Sequence, residues 1–319
     1  MIIDVFTHLI PGEVGELLNG PMKGAGRDAG YPDDNADPGV RLAMMDKYGI
    51  DMQVLTPATA RVLQGYTPER AAEICRLSSN ANNQLYKAYP DRFVNVCGIS
   101  LLDMKSAMKE LERCVKDLDC RGITVTTNQN GKGLDDAEYM PFYEKLVEYD
   151  LPLWLHPVHW ESYPLVDMQK GWRMMATFGW PFDTTQAVWR MIFGGVFDRF
   201  PSLQVVMHHL GAMFPFFARR VNIIYEGSLK GITKYHVTEY FKRNIYGDTA
   251  VCGTKSAHMC GYEFFGADRM MFGTDYPFGP ERGEDFIREG MACMKAMDIP
   301  EADKLKIYGG NAKKLLKII

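Results

Sequence analysis

A chain of 319 residues with 46% hydrophobic and 24% charged residues has the composition of a globular protein that can bury a large core. Its net charge of -4 offers no electrostatic basis for binding nucleic acid or an anionic membrane, and no apolar run approaches the roughly 20 residues of a membrane span. Seven cysteines without a Cys-x-x-Cys pair, and an N-terminus without a signal-peptide pattern, predict reduced thiols and a cytoplasmic location.

Short apolar segments alternate with amphipathic ones along the chain. The short segments predict eight strands at residues 2–8, 52–55, 93–99, 122–126, 152–155, 205–207, 244–246 and 269–272. The amphipathic segments predict helices at residues 39–48, 67–89, 105–118, 139–149, 184–200, 255–264, 284–297 and 301–316, and one after the sixth strand through Arg220 to about Tyr225. Two irregular segments, residues 13–38 and 161–181, are predicted to be loop insertions that decide the substrate.

This alternation of eight strands with helices predicts an α/β fold, a closed (β/α)8 TIM barrel that forms a single domain over residues 1–319. The loop insertions would lie at its C-terminal face. A doubly wound open sheet is the alternative architecture. It is disfavoured because no Gly-x-Gly-x-x-Gly turn follows an early predicted strand.

Polar side chains stand where four of the predicted strands end. His8 ends the first strand, His156 the fifth, His208 and His209 the sixth, and Asp275 the eighth. Because these strand ends meet at one mouth of a barrel, we expect the side chains to converge there. Two imidazoles and a carboxylate form the mixed donor set that zinc or a similar divalent ion accepts. A single buried histidine is more often structural, and one of the adjacent pair is interpreted as a core histidine.

Five segments carry recognisable motifs, and the two at the sixth and eighth strands are the most specific. The segments are residues 41–54, 191–201, 209–215 with Arg220, 272–278 and 309–312. Together they resemble the amidohydrolase superfamily. The similarity is greatest to the branch that contains aminocarboxymuconate-semialdehyde decarboxylase and the non-oxidative aromatic-acid decarboxylases.

The resemblance implies a role for each matching position. His8, His156 and Asp275 match metal ligands, and His209 matches the catalytic histidine, which assigns a structural role to His208. Asp275 is also expected to take part in proton transfer.

The resemblance also implies how substrate is held. Arg220 matches an arginine that enters the site of a neighbouring subunit and binds the substrate carboxylate, which implies a homodimer or a dimer-based oligomer. Phe278 matches an aromatic residue of the pocket wall, with ordinary packing as the alternative.

The first strand departs from the family pattern. The family begins with His-x-His, whereas this chain reads Phe6-Thr7-His8, and a phenylalanine ring cannot bind a metal. Either the remaining ligands hold the metal alone, with Phe6 lining the substrate pocket, or the site binds metal weakly or not at all, as in the superfamily's metal-free lactonases. His159 could compensate, but lining the pocket is its preferred role. Residues 122–126 contain no lysine, which argues against a two-metal site bridged by a carboxylated lysine.

The main functional hypothesis is a metal-dependent, non-oxidative decarboxylase of a small aromatic or unsaturated carboxylic acid. One divalent metal, with zinc preferred over manganese or magnesium, would serve as template and Lewis acid, and Asp275 or His209 would protonate carbon. The alternative is a hydrolase or hydratase on the same barrel, including a metal-independent lactonase. A binding barrel that has lost its catalytic site is the third hypothesis.

Overall fold

The computed structural model describes residues 1–12, 14, 36–57, 66–158 and 174–318. Its strands follow one another in the order β1 (Ile3–Leu9), β2 (Met52–Pro57), β3 (Phe93–Asn95), β4 (Cys97–Gly98), β5 (Ile123–Thr126), β6 (Asn128–Gln129), β7 (Lys132–Gly133), β8 (Leu153–His156), β9 (Val205–Met207), β10 (Ile245–Asp248) and β11 (Met270–Met271). His159 and most of the two predicted loop insertions lie outside the described residues.

The strands pair in parallel around a closed ring. One sheet has the order β1-β2-β3 and another the order β11-β10-β9-β8-β5-β4. The short strands β3 and β4 together make the third barrel strand, because the intervening Val96 still donates its N–H to the carbonyl of Leu55 at 3.2 Å. The eighth strand returns to the first where Val5 N–H donates to the carbonyl of Phe272 at 2.8 Å. The predicted TIM barrel is therefore confirmed.

Helices follow the strands on the outside of the ring. They are α1 (Pro38–Tyr48), α2 (Pro68–Ala88), α3 (Met104–Asp117), α4 (Met140–Glu148), α5 (Trp180–Phe193), α6 (Val196–Arg199), α7 (Phe214–Ile224), α8 (Val237–Arg243), α9 (Lys255–Phe265), α10 (Glu284–Ala296), α11 (Glu301–Leu305) and α12 (Asn311–Leu316). No helix in the described part of the chain combines the length and the apolar character that a membrane crossing requires.

Several helices begin where the sequence predicts because local capping sets their starts. Helix α1 begins at Pro38, and the preceding residue, Asp37, caps it by accepting a hydrogen bond from the N–H of Gly39. Asp103 accepts from the N–H of Ser106 at the start of α3 at 2.8 Å. The predicted helix over residues 184–200 is instead two helices, because Gly195 has a φ of 76° and interrupts the helical path.

Four further differences concern short elements. Helix α8 and the antiparallel pair β6–β7 were not predicted; each is short and mostly polar, so its periodicity is weak. The described end of the segment predicted as a loop over residues 161–181 is helical, since a π-helical turn at Met175–Gly179 leads into α5. Residues 301–316 likewise contain a π-helical turn, Lys306–Gly310, between α11 and α12.

The inner floor of the barrel is apolar and is built around one tryptophan. Trp154 is fully buried with aliphatic residues of neighbouring strands, and its indole N–H donates to the carbonyl of Val5 at 3.0 Å across the interior. A Cβ atom at Gly122 would lie 2.4 Å from a ring carbon of Trp154, so only glycine leaves room for the indole at that point. The polar side chains described next lie at the ends of these same strands.

Candidate active site

Three buried side chains from different strand ends form a compact group. His8 lies in β1, His208 follows β9 directly, and Asp275 lies four residues beyond β11. Each offers a ligand atom, and these atoms all lie within 4.8 Å of one another. A group of two imidazoles and one carboxylate suits a divalent cation.

The contacts inside the group leave an imidazole nitrogen without a hydrogen-bond partner. His8 Nε2 lies 3.1 Å from Asp275 Oδ1, and His208 Nε2 lies 3.5 Å from the same oxygen. Among the described residues, the buried His8 Nε2 nevertheless has no hydrogen-bond partner of acceptable geometry. A bound cation would satisfy this nitrogen, so the residues fit a metal centre.

Both imidazoles are oriented by partners on their opposite nitrogen. His8 Nδ1 lies 3.2 Å from the carbonyl oxygen of Thr56, and His208 Nδ1 lies 2.7 Å from Asp248 Oδ2. Because carbonyl and carboxylate oxygens only accept, both Nδ1 atoms are the donors in these bonds. In the neutral imidazole, Nε2 is then the atom that carries the lone pair, and in both residues this atom faces Asp275, as metal-binding histidines require.

Phe6 occupies the position where the family pattern has a ligand. Its ring is fully buried and stacks on the imidazole of His208, with ring centroids 3.7 Å apart and an interplanar angle of 12°. It also meets the ring of His8 edge-on at 5.4 Å. The ring of Phe6 therefore packs against two imidazoles, and its predicted role in the substrate pocket stays a prediction.

His156 lies beside the group and outside its tightest set. Its ring centroid is 5.0 Å from that of His8 and 6.1 Å from that of His208, and its Nδ1 lies 2.9 Å from the carbonyl oxygen of Pro157. Burial, with His8 and His208 nearby, lowers the pKa of His156 well below its usual value and keeps the ring neutral. A neutral imidazole is the form that binds metal, and the predicted ligand role of His156 stays a prediction.

His209 lies in a turn of unusual backbone conformation. Residues His209, Leu210, Gly211 and Ala212 have φ angles of 56°, 52°, 74° and 54°. For residues other than glycine this left-handed conformation costs about 1–2 kcal/mol each, and such strain is concentrated at functional sites. The turn brings two adjacent imidazoles to the same mouth, with the rings of His208 and His209 only 3.8 Å apart.

The imidazole of His209 lies beside Trp180, and its predicted catalytic role stays a prediction. Its ring lies nearly parallel to that of Trp180, with centroids 6.4 Å apart. Within the described part of the chain, its buried Nδ1 has no hydrogen-bond partner. Burial and the neighbouring His208 lower the pKa of His209 well below its usual value, so its protonated form is a stronger acid than a free imidazolium.

The charges of Asp275 and His208 are coupled. Burial alone would raise the pKa of Asp275, but the nearby imidazoles of His208 and His8 outweigh burial and lower it well below its usual range. Burial opposes the charged form of His208, yet Asp248 and Asp275 together raise its pKa to about 9. The mouth therefore holds an ionised carboxylate opposite imidazole nitrogens.

Two predicted substrate residues lie at different places. The ring of Phe278 meets that of His8 edge-on, with centroids 5.2 Å apart, which is compatible with a pocket wall. Arg220 is exposed on the surface of α7, and its predicted contact with a neighbouring subunit stays a prediction.

Two residues at the site were missed by sequence reasoning. Asp248 ends β10, whose predicted counterpart stopped at residue 246, and extending that strand by two residues would have found it. Arg41 is buried, and its guanidinium donates to the carbonyl of His8 at 2.5 Å and to Gln53 Oε1 at 2.9 Å. No local pattern marks an arginine on an amphipathic helix as an interior group.

Comparison with known proteins agrees with this geometry. A family profile described as amidohydrolase matches residues 3–318. The 2-amino-3-carboxymuconate-6-semialdehyde decarboxylase of Dictyostelium discoideum is 29% identical over 285 residues, which cover 88% of this chain and 76% of that protein. A gamma-resorcylate decarboxylase of Polaromonas sp. JS666 is 28% identical over 292 residues, covering 87% of this chain and 86% of the relative. A 2-keto-4-carboxy-3-hexenedioate hydratase of Sphingobium is 23% identical over 290 residues, covering 86% and 81%.

Solved structures share the fold along the whole chain. The 5-carboxyvanillate decarboxylase of Novosphingobium aromaticivorans, with bound manganese, has a TM-score of 0.86 at 23% identity and covers 100% of this chain and 97% of its own. The dihydroxybenzoic acid decarboxylase of Polaromonas sp. JS666, with bound manganese and 2-nitroresorcinol, has a TM-score of 0.83 at 26% identity and covers 99% and 97%.

These comparisons bear out the predicted enzyme class, a carbon–carbon lyase that releases carbon dioxide, and they support a divalent metal. The match of the family profile to nearly every residue, together with a barrel mouth that gathers imidazoles and a carboxylate, leads to one conclusion: this chain belongs to the amidohydrolase family.

Proposed function

We propose that the chain is a metal-dependent, non-oxidative decarboxylase of a small aromatic or unsaturated carboxylic acid. The observation that carries the proposal is the buried group of His8, His208 and Asp275, in which His8 Nε2 faces a carboxylate without a hydrogen bond. The decarboxylases among the relatives support this choice over other reactions of the family.

The metal centre is proposed to include His8, His156 and Asp275. When bound, a divalent cation supplies a template and a Lewis acid for the substrate carboxylate and a neighbouring oxygen. The nitrogen-rich donor set favours zinc, whereas the manganese in the structure of the Polaromonas decarboxylase supports manganese. Elemental analysis of the purified protein distinguishes the two metals.

His209 and Asp275 are proposed to deliver the proton that replaces carbon dioxide on carbon. Both groups have a lowered pKa, so whichever of them takes up a proton gives it up readily. Burial of the mouth excludes water and strengthens the electrostatic interaction of these groups with the substrate. Positioning the acid against carbon is the main contribution of the protein to the reaction.

Substrate binding is proposed to involve Phe278 and His159 as pocket walls and Arg220 as the partner of a carboxylate. The exposed position of Arg220 on α7 fits a residue that acts in a neighbouring subunit. Phe216, Ile223 and Ile224 lie at helical spacing along the face of Arg220 and are 80%, 56% and 45% exposed. An apolar stripe of this kind on a monomer surface supports a homodimer that buries it.

Measurement of carbon dioxide release tests the decarboxylase proposal. Purified protein loaded with Mn²⁺ or Zn²⁺ would be assayed across hydroxybenzoates and muconate semialdehydes, with the chelator-treated protein as the control. We expect release that depends on metal and is lost in His209→Ala but retained in His236→Ala. Conversion by hydration or hydrolysis, without any carbon dioxide, would contradict the proposal.

The competing function is a hydratase on the same barrel, which the similarity to the Sphingobium hydratase favours. Uptake of water from H₂¹⁸O into an unsaturated keto acid would identify this activity directly. A metal-free lactonase is distinguished by full activity in chelator.

Two further properties belong to this proposal. We infer that the chain forms one domain, because the family profile spans residues 3–318 and the barrel strands are drawn from both ends of the chain. We also infer a cytoplasmic location, which all seven cysteines support by being free thiols. Size-exclusion chromatography with light scattering tests the dimer, and Phe216→Glu should convert it to a monomer.

A further inference from the structure

The imidazole of His208 is held in one orientation by three neighbours. Its Nδ1 donates to Asp248 Oδ2 at 2.7 Å. Its ring stacks on that of Phe6, with centroids 3.7 Å apart, and also contacts the ring of His209, with centroids 3.8 Å apart. These contacts prevent rotation of the ring. They leave Nε2 directed toward Asp275 Oδ1, 3.5 Å away.

The distances from His8 and His208 to Asp275 are longer than those of charge-assisted hydrogen bonds. Charge-assisted hydrogen bonds between nitrogen and a carboxylate measure about 2.7–2.9 Å, as the bond from His208 to Asp248 does. The contacts of His8 and His208 with Asp275 Oδ1 measure 3.1 and 3.5 Å. Ligands bound at about 2.0–2.1 Å in a tetrahedron lie about 3.3 Å from one another. The two observed distances bracket that value.

We propose that His208 is a metal ligand in the same centre as His8 and Asp275, and that Asp248 is the carboxylate that orients it. This inference rests on the proposed metal-dependent function. It differs from the sequence interpretation, which assigned a structural role to His208. The fully buried His8 Nε2 has no hydrogen-bond partner in the described part of the chain and also faces Asp275. This unpartnered nitrogen is a second observation that fits a bound cation.

The proposal also gives Phe6 a definite role. A phenylalanine has no donor atom, so position 6 contributes no ligand. Its ring instead supplies the flat surface against which the His208 imidazole is held at an angle of 12°. The ends of β1, β9 and β11 then each provide a ligand beside His156 at the end of β8, and Asp248 at the end of β10 orients His208.

Metal binding, measured apart from catalysis, tests this assignment. Metal-free protein would be titrated with Mn²⁺ by calorimetry, and the bound ion would be examined by pulsed electron paramagnetic resonance, which detects coordinated imidazole nitrogens. His208→Gln should weaken Mn²⁺ binding by about 100-fold or more and remove one imidazole coupling. Asp248→Asn should weaken binding by about 10–100-fold and keep the coupling, because it disturbs orientation alone.

Matched variants keep the result interpretable. His236→Gln, which removes an imidazole outside the mouth, should bind Mn²⁺ as the unaltered chain does. If His208→Gln does not fold, as judged by circular dichroism, His208→Asn and Asp248→Asn provide the same comparison. A His208 variant with unchanged affinity and unchanged imidazole couplings would overturn the assignment and leave the metal-dependent decarboxylase standing. An unaltered chain that binds no divalent metal would overturn both.

Discussion

The floor and the mouth of the barrel are built from the same strands but have opposite chemistry. At the floor, Trp154 and the aliphatic residues around it exclude water, and one hydrogen bond to the carbonyl of Val5 satisfies the indole. At the mouth, His8, His208 and Asp275 are also buried, but Asp275 is ionised and His8 Nε2 has no hydrogen-bond partner among the described residues. Apolar burial stabilises the fold, whereas buried polar groups cost stability unless a ligand completes them. The floor therefore stabilises the protein, and the mouth holds the proposed metal centre.

The largest effect is expected from Asp275→Ala, which should separate activity from stability at the mouth. Loss of a group that is proposed to serve both the metal centre and proton transfer should lower kcat/KM by about 10⁴-fold. The melting temperature should change little, because the lost attraction to His208 is offset by removal of the cost of burying a carboxylate. Carbon dioxide release and thermal unfolding provide the two readouts. A decrease in kcat/KM below tenfold would remove Asp275 from the mechanism.

The floor is tested by Trp154→Ala, with the opposite pattern. Removing this fully buried side chain should lower the free energy of unfolding by about 3–5 kcal/mol, because a large cavity remains between strands. Urea denaturation measures the loss, and Trp189→Ala, at a half-buried tryptophan, is the matched control with a smaller effect. Equal losses of unfolding free energy in the two variants would show that Trp154 contributes no more to stability than a half-buried tryptophan does.

Arg41→Met tests how the helical layer supports the mouth. Arg41 is buried and donates to the carbonyl of His8 at 2.5 Å, so its loss should let the end of β1 shift. Burial lowers the pKa of Arg41 to about 10, so the guanidinium stays charged at neutral pH. We expect Mn²⁺ affinity to fall by about 10–100-fold, as for other groups that orient ligands. Arg92→Met, which removes a surface contact with Asp46 at 2.7 Å, should leave the affinity unchanged.

A pH-dependent effect on stability is expected from Asp4, a fully buried carboxyl that accepts a hydrogen bond from Thr274. Burial raises its pKa from 3.8 to about 7, although hydrogen bonds from Thr274 oppose the shift. The folded state therefore holds a proton between pH 4 and 7 that the unfolded chain releases. Stability should fall as pH rises through this window, by about 1.4 kcal/mol per unit at most, and level off above pH 7.

Asp4→Asn should remove this part of the pH dependence, because an amide resembles the protonated acid. Urea denaturation at pH 4.5, 6 and 8 measures the slope for both proteins. An unchanged slope in the variant would assign the dependence to another group.

Local patterns determined much of the architecture. Capping by Asp37 and Asp103 and the apolar run Val205–Met207 specify where helices and a strand lie, because these signals act over a few residues. The same reasoning located His8 and Asp275 at the mouth, since a barrel brings strand ends together whatever its loops contain. It failed where signals were short or interrupted, as at helix α8 and at Gly195.

The sequence by itself determined the barrel, the family and the residue types at the mouth. Only the tertiary structure decided which imidazoles face Asp275, because His208 and His209 are adjacent and their directions depend on a turn of four left-handed residues. It also decided that Asp248 orients His208 and that Phe6 supports it, since these contacts join residues 40 and 202 positions apart. Strand periodicity is local, whereas the placement of a ligand atom depends on packing among strands that are distant in sequence.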